Sequence, residues 1–293
     1  MKRPCYFAEL CAGSAVTTLQ LIAGRHARAP LPYRGSKRGL AHAILAELGT
    51  APGAGADGLL LVDPGPWSTA WRVLANEERR AVVVEDILAW ADEEPRELWT
   101  RLAALRPLEA DTPTPYQVAA WIVAASWAYR VGDPSSGFNS GVAFGRPATV
   151  TDHGGGPRTI RKIARDVARL PAFPTAPTIV RGSAAAVEPP ADASTWIAYI
   201  DPPYVGTTPY EHELSRDQVI AIARRWAAAG ATVGISEAEP VEGLGAEWHA
   251  VDLTEDRHGQ ARSFSRQRRE VLTLNRAPRR RAEQRQLFTP FAG

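Results

Sequence analysis

Short apolar runs alternate with helical patterns at both ends of the chain. Tyr6 to Cys11 is a short apolar run that predicts a strand, and Gly58 to Val62 is a continuous apolar run, typical of a strand covered on both faces. Further strands are predicted over Thr178 to Arg181, Trp196 to Asp201, Ala231 to Ser236, Glu247 to Leu253 and Arg269 to Leu274. Helices are predicted over 15–22, 37–48, 67–76, 158–170 and 215–229, with Ser36 and Ser215 as the N-caps of two of them.

The middle of the chain has a different pattern. Residues 77–130 are almost entirely helical, with prolines between the helices, and residues 131–157 form a loop region rich in Gly, Pro and Ser. Strands and helices that alternate on either side of a helical block predict one α/β sheet domain built from two separated segments. The predicted boundaries are 1–75 and 176–275 for the sheet domain, 76–175 for a helical insert and 276–293 for a flexible, basic tail.

Composition narrows the class of protein only slightly. The 293 residues are 45% hydrophobic and 23% charged, which is ordinary for one large globular domain with an insert. The net charge of +2 gives no overall electrostatic reason to expect a nucleic-acid partner. Nearly all of the positive charge is Arg, whose planar fork suits phosphate and carboxylate, although an Arg-rich proteome produces the same composition.

Neither a zinc site nor a membrane span is expected. Cys5 and Cys11 form no C-x-x-C pair, and the six histidines lack ligand spacing. The longest apolar run, Val118 to Tyr129, is too short to cross a bilayer, and the first residues lack the layout of a signal peptide. These observations predict a cytoplasmic protein with reduced cysteines.

Two predicted strand ends carry residues that suit a nucleotide. In FAELCAGSAV, residues 7–16, a strand, a small-residue turn and a helix follow one another, which is how α/β proteins place a nucleotide at a helix N-terminus. Gly13 is the only glycine there, so the dinucleotide fingerprint G-x-G-x-x-G is absent. Asp63 ends the second strand, where a carboxylate can accept hydrogen bonds from ribose hydroxyls. The structural alternatives are a plain strand-turn-helix and, for Asp63, an N-cap.

The segment YIDPPYVG, residues 199–206, ends an apolar strand with Asp201, Pro202, Pro203 and Tyr204. An exocyclic amine on a base is a poor nucleophile because its lone pair is delocalised into the ring. The carboxylate of Asp201 and the carbonyl of Pro202 can accept the hydrogens of such an amine and so localise its lone pair. The ring of Tyr204 offers a stacking face for a base taken out of the helix. The alternative is a rigid Pro-Pro turn.

Together these segments resemble the Dam-like, alpha-group N6-adenine DNA methyltransferases, which use S-adenosylmethionine. DPPY is one of their motifs, and FAELCAGSAV resembles motif I, usually E-P-F-x-G-S/G-G. PYRGSKRGLAHAI resembles motif X (P-x-x-G-G-K), VDPGPWSTAWRVL resembles the acidic second-strand motif, and VGISEAEP resembles the strand after DPPY. The likeness covers most of residues 6–275. Motif X normally precedes motif I, whereas here it lies between motif I and the acidic strand.

The resemblance implies a Rossmann-like S-adenosylmethionine-dependent methyltransferase sheet with a helical target-recognition insert. It implies catalytic roles for Asp201, Pro202, Pro203 and Tyr204. It also implies cofactor contacts from Glu9, Cys11, Ala12, Gly13, Ser14, Tyr33, Gly35, Ser36, Lys37, Asp63 and Asp201. GFNSGVAFGRP resembles the recognition segment F-N-x-P-x-G-R, which assigns DNA contacts to Arg130, Asn139 and Arg146. For Asn139 and Arg146 the alternative is that they only hold this loop in place.

The expected function is therefore transfer of a methyl group from S-adenosylmethionine to the N6 amine of a flipped adenine in double-stranded DNA, as in restriction-modification, without a metal. One alternative is the N4 amine of cytosine, although Asp201 favours adenine because Ser is commoner there in cytosine enzymes of this kind. Another is a non-catalytic DNA-binding protein on the same fold, which the unusual Leu10 and Cys11 of motif I favour slightly and the intact DPPY counts against, because a binder needs no amine-orienting carboxylate. QLFTPF near the C-terminus resembles the peptide that docks on bacterial sliding clamps, so a clamp is a further candidate partner; an ordinary charged tail is the alternative.

Overall fold

The computed structural model describes residues 5–31, 37–105, 112–130, 133–139, 142–143, 158–203, 214–256 and 269–279. Its strands are β1 (Tyr6–Leu10), β2 (Gly58–Asp63), β3 (Ala128–Arg130), β4 (Asp133–Phe138), β5 (Thr178–Arg181), β6 (Trp196–Ile200), β7 (Thr232–Glu237), β8 (His249–Asp252) and β9 (Val271–Leu274). Its helices are α1 (Val16–Ala23), α2 (Ala41–Glu47), α3 (Pro66–Leu74), α4 (Glu77–Ala89), α5 (Pro95–Ala103), α6 (Pro115–Ser126), α7 (Ile160–Ala168) and α8 (Arg216–Ala228).

Seven of the strands form one mixed sheet in the order β5-β2-β1-β6-β7-β9-β8. The first five strands of that order run parallel to one another. Strand β9 is inserted antiparallel between β7 and β8. The parallel part follows a doubly wound order that reverses between β1 and β6, and ligands of such sheets bind outside the carboxyl ends of the strands at this point. The α/β class with a mostly parallel sheet, expected from the sequence, is confirmed.

Helices cover both faces of the sheet. Alternate residues of a strand point to opposite faces, so Phe7 of β1 packs with α1 and α2 whereas its neighbour Ala8 packs with α8. Trp226 of α8 is fully buried in this second layer. Burying a large apolar side chain contributes about 1.5–3 kcal/mol, so both layers hold the strands in register.

The helices between β2 and β5 form their own apolar cluster. Trp71 of α3 and Trp121 of α6 are buried there, and α4 packs against both α6 and α7. The cluster reaches the sheet layer through Leu19 of α1. Two helix starts follow their sequence signals: Thr114 caps α6 in a capping box with Gln117, and the predicted cap of α8 is confirmed because Ser215 forms such a box.

Two local predictions were wrong. Ala128–Arg130 and Asp133–Phe138 pair as the antiparallel strands β3 and β4, where helix and loop were expected. The segment Asp133–Phe138 has poor strand propensity, but Phe138 is buried against the rings of Trp99 and Trp127, and this tertiary contact overrides it. The second helix begins at Ala41, not at residue 37, and its N-cap position makes no side-chain hydrogen bond. The predicted cap, Ser36, lies outside the described residues.

Candidate active site

The carboxyl ends of three parallel strands and the start of β9 meet at one edge of the sheet. Leu10 of β1 pairs with Ile200 of β6, and the next residue, Asp201, donates its amide to the Leu10 carbonyl at 3.1 Å. Because β9 runs antiparallel, its first residue pairs with Glu237, the last residue of β7. Glu270, which precedes β9, is thereby brought to the same edge as Asp201.

Lys37 forms a buried ion pair with Asp201. Its Nζ lies 2.7 Å from Asp201 Oδ1 and 3.8 Å from Glu270 Oε1. The side chains of Lys37 and Glu270 are 7% and 3% exposed, and that of Asp201 is 22% exposed. Burial raises the pKa of Asp201 to about 6, although Lys37 opposes the rise and Glu270 adds to it. Asp201 is therefore mainly ionised at neutral pH, and its charge depends on the lysine.

Two further buried carboxylates surround this pair. Burial raises the pKa of Glu237, and Arg216, whose guanidinium lies 3.5 Å from the Glu237 carboxylate, partly counters the rise. Burial also raises the pKa of Glu9 to about 7, against the effect of its hydrogen bonds from Thr18. Among the described residues, the carboxylates here outnumber the cations that pair with them, and burial together with nearby negative charge raises the pKa values of Glu9, Asp201 and Glu237.

Glu9 is bound to the start of α1. Its Oε2 accepts hydrogen bonds from the backbone N of Thr18 at 2.8 Å and from the Thr18 hydroxyl at 2.5 Å. Helix α1 has no side-chain N-cap, since its cap position is Ala15. The carboxylate therefore satisfies an amide of the first turn that the cap residue leaves open. This contact fixes β1 to the helix that follows it.

The turn between β1 and α1 has an unusual backbone. Cys11, Gly13 and Ala15 all have positive φ, at 64°, 45° and 49°. Left-handed conformations at Cys11 and Ala15 cost of order 1–3 kcal/mol each and persist where surrounding contacts enforce them, often at ligand-binding turns. Gly13 is held on both sides here, since its carbonyl accepts from Trp71 Nε1 at 3.0 Å and its amide donates to Asp63 Oδ2 at 2.8 Å.

Asp63 joins the turn after β2 to the turn after β1. Its Oδ1 accepts from the Gly65 amide at 2.8 Å, while its Oδ2 accepts from Gly13. It does not cap α3 directly, because Gly65 occupies the N-cap position of that helix. Asp63 is thus aligned beside the strained turn, with one carboxylate oxygen bonded to the turn after each strand.

Tyr199 of β6 and Ser236 of β7 form a buried contact next to the site. The Tyr199 hydroxyl and Ser236 Oγ are 2.8 Å apart and fully buried, and they join β6 to β7 one or two residues before Asp201 and Glu237. Burial raises the pKa of Tyr199 and the negative charge of Asp201 adds to this effect. The hydroxyl therefore stays protonated and serves as a neutral hydrogen-bonding group.

Some of the remaining predicted site residues lie beside this site, and others lie outside the described residues. Ala12, Ser14 and Pro202 are buried beside the residues above, and Pro203 is half-buried. Lys37, predicted to contact the cofactor, lies against the carboxylates of Asp201 and Glu270. Arg130 ends β3, and the structure describes only its backbone. Tyr33, Gly35, Ser36, Tyr204 and Arg146 lie outside the described residues.

Asn139 makes local contacts. Its backbone N donates to the carbonyl of Trp127 at 2.6 Å, and its Oδ1 accepts from the Val142 amide at 3.3 Å. The side-chain oxygen is thus engaged with its own loop. This contact favours the interpretation that Asn139 holds the loop in place over one in which it contacts a base.

Three charged residues of the site were missed as candidates: Glu237, Glu270 and Arg216. Glu237 lies in the VGISEAEP segment, which was noted as a strand only. Glu270 stands directly before a four-residue apolar strand, and an acid there is a signal once that strand is known to be antiparallel. Arg216 opens α8, and nothing in its local sequence points to β7.

Comparisons with models of known protein families and with curated proteins found no match. In the described parts of the chain, no helix has the length and apolar character needed to cross a membrane. Over the same residues, no three His, Cys, Asp or Glu side chains are grouped as a metal site would need. Neither Cys5 nor Cys11 is part of a disulfide.

Proposed function

We propose that this protein transfers a methyl group from S-adenosylmethionine to the N6 amine of adenine in double-stranded DNA. The observation that carries the proposal is Asp201, whose carboxylate follows β6 at the point where the strand order reverses and is held by a buried lysine. Asp201 belongs to the Asp-Pro-Pro-Tyr segment on which the resemblance depends most.

The contacts of Asp201 suit an acceptor for an amine. Lys37 occupies Oδ1, and among the described residues no group donates to Oδ2. Held in this way, the carboxylate presents one oxygen in a fixed direction to an N–H of the base. The Pro202 carbonyl is the second acceptor in the proposal. Two acceptors on one amine localise its lone pair and orient it towards the methyl carbon.

The residues at the ends of β1 and β2 fit S-adenosylmethionine. Asp63, at the end of β2 beside the Gly13 turn, would accept hydrogen bonds from the ribose hydroxyls, and the backbone from Cys11 to Ser14 would line the cofactor. The cofactor supplies an electrophilic methyl group on a sulfonium. Held by Asp201 and the Pro202 carbonyl, the amine nitrogen would bond to that methyl carbon as the bond from carbon to sulfur breaks, and its extra proton would leave for water.

The test is a product analysis. Purified protein is incubated with S-adenosylmethionine and genomic DNA from a methylation-free host, and the nucleosides are analysed by mass spectrometry. We expect N6-methyladenine with the wild type and none with Asp201→Ala, which removes the acceptor oxygens. N4-methylcytosine as the only product would show that the enzyme acts on cytosine and not on adenine. Neither product, from protein that binds DNA, would favour a non-catalytic DNA-binding role instead.

A further inference from the structure

Helix α4 has apolar side chains towards the protein interior and towards solvent. Val83 and Ile87 are fully buried in the apolar cluster of the insert. Val82 and Leu88 point away from that cluster and are 43% and 41% exposed. A helix at the surface of a globular protein normally carries polar residues on its outer face. The outer face of α4 is therefore a candidate for contact with another molecule.

Helix α7 lies antiparallel beside α4. Arg161, in the first turn of α7, lies 3.8 Å from the carboxylate of Asp92, which follows the end of α4. At the opposite ends of the two helices, Arg80 of α4 donates to the carbonyl of Pro171, which follows α7, at 3.1 Å. The middle of α4 and the middle of α7 therefore lie side by side.

The outer face of α7 is basic. Arg161, Arg165 and Arg169 are exposed and follow one another at four-residue spacing, which places them in one row on the helix. Arg161 has the contact with the exposed Asp92, whereas among the described residues no carboxylate forms an ion pair with Arg165 or Arg169. Glu85, near the middle of α4, is exposed and likewise without an ion pair there.

We propose that this surface joins two copies of the chain in a symmetric dimer. The α4–α7 face consists of Val82, Glu85 and Leu88 with the row of three arginines. A two-fold axis that runs between the two helices and parallel to them places α4 of one copy over α7 of the other. Glu85 of each copy then lies opposite Arg165 of the other copy, and this contact forms twice. Val82 and Leu88 are covered by the aliphatic stems of the arginines.

The charges of the α4–α7 face favour a second copy over nucleic acid. Phosphates would suit the arginines, but Glu85 and Asp92 on the same surface would repel them. A second copy presents charges of both signs, so the acids and the arginines each find a complement. The α4–α7 face does not include the sheet edge that carries Asp201, so the dimer does not depend on the proposed function.

Sedimentation velocity over a range of micromolar concentrations tests the dimer with the full chain. The wild type should sediment with the mass of two chains, and added salt should weaken the dimer because it screens the charge pairs. Leu88→Gln and Arg165→Glu should each raise the Kd of the dimer about tenfold or more. Leu105→Gln and Glu242→Arg, exposed changes outside the α4–α7 face, are the controls. A wild type that stays monomeric, or variants that dimerise as well as the controls, would overturn the proposal.

A charge exchange tests which residues face each other. Glu85→Arg places two arginines opposite each other at both contacts, and Arg165→Glu places two glutamates there, so each variant should be mainly monomeric. A mixture of the two variants should form a heterodimer, because both contacts are then complementary. The double variant Glu85→Arg/Arg165→Glu should dimerise by itself. Thermal melts identify any variant that fails to fold; folded variants that do not associate in the mixture, beside a double variant that stays monomeric, would refute this pairing and the interface.

Nucleic acid is tested as the alternative occupant. Binding to a labelled duplex of mixed sequence is measured by fluorescence anisotropy for the wild type, Arg165→Glu and Glu242→Arg. A monomeric protein whose DNA affinity falls in Arg165→Glu would assign the α4–α7 face to nucleic acid and overturn the dimer. The dimer and the methyltransferase function fail separately. A dimer that yields no methylated base removes the function and leaves the interface, whereas methylation by a protein that stays monomeric does the reverse.

Discussion

Lys37 and Asp201 are far apart in sequence and form a buried contact of 2.7 Å across the edge of the sheet. Lys37 lies in the segment that resembles motif X, which is displaced to a position after the β1–α1 turn. Helices α1 and α2 pack on the same face of the sheet, so the segment between them returns to the carboxyl edge near Asp201. The displaced segment therefore places its lysine at the DPPY aspartate.

Removal of the Lys37 charge should leave Asp201 protonated at neutral pH. Lys37 lowers the pKa of Asp201, which burial has already raised to about 6. In Lys37→Met that pKa should rise, and each unit above the assay pH lowers the ionised fraction about tenfold. Methylation should fall at neutral pH and recover as the pH is raised. Lys37→Arg keeps the charge and should retain most of the activity at pH 7.

Glu270 should affect the pKa of Asp201 in the direction opposite to Lys37. Its negative charge raises the pKa of Asp201, so Glu270→Gln should lower that pKa and extend activity to more acidic pH. Carbon-13 NMR titration of labelled aspartate, assigned by comparison with Asp201→Asn, measures the shift without any turnover. Glu242→Gln, an exposed change of the same kind, is the control. An Asp201 titration that Glu270→Gln leaves unmoved would show that Glu270 has no influence on the pair.

Asp201 and Asp63 should have separable roles. Asp201→Ala should abolish turnover and leave the affinity for S-adenosylmethionine within a few-fold. Asp63→Ala should weaken cofactor binding by about 1–3 kcal/mol through lost charge-assisted hydrogen bonds. Because Asp63 also binds the amides of Gly13 and Gly65, Asp63→Asn, which keeps one acceptor oxygen, should lose less. Calorimetry measures both effects, and unchanged cofactor affinity in Asp63→Ala would remove it from the cofactor site.

The sheet could be predicted from local sequence to a large degree. Strands such as β2 and β6 are buried on both faces, so they appear as continuous apolar runs with ends close to those observed. The β3–β4 hairpin could not be predicted in this way, because it depends on the contact of Phe138 with Trp127 and not on its own residues. Ring contacts between distant segments leave no local pattern.

From position alone, the candidate site was predictable only where chemistry coincides with a strand end; Glu9 and Lys37 were predicted through the resemblance. Asp63 and Asp201 follow apolar runs, so both were identified from their positions. Glu270 was missed because its place depends on the insertion of β9 between β7 and β8. The order and direction of neighbouring strands are set by packing of the whole domain, and a single strand does not specify them.

Glu9 should make the protein less stable as the pH rises towards neutral. Its pKa is about 7 in the folded protein against an ordinary value of 4.5, so between these values the folded state binds the proton more tightly than the unfolded chain. The free energy of unfolding therefore falls across this window, by about 3 kcal/mol when complete. Glu9→Gln keeps an oxygen for Thr18 and should flatten this slope and stabilise the protein at pH 7.5. Urea unfolding between pH 5 and 8 measures how the free energy of unfolding depends on pH, with Glu242→Gln as the control. An equally steep pH dependence in Glu9→Gln would mean that other groups cause it.

Asn139 should stabilise its loop through its side-chain oxygen. Asn139→Asp keeps an oxygen that can accept from the Val142 amide, whereas Asn139→Ala removes it. If the residue holds the loop, the alanine variant should lose about 1 kcal/mol of stability and the aspartate variant should lose little. If it reads adenine, both should lose specificity, because that contact needs a donor as well as an acceptor. Thermal melts beside methylation profiles separate the two roles. Because Asn139 contacts Val142, we expect a lowered melting temperature for Asn139→Ala and an unchanged site preference for Asn139→Asp. A stable Asn139→Asp variant with a less specific site preference would instead assign Asn139 to base recognition.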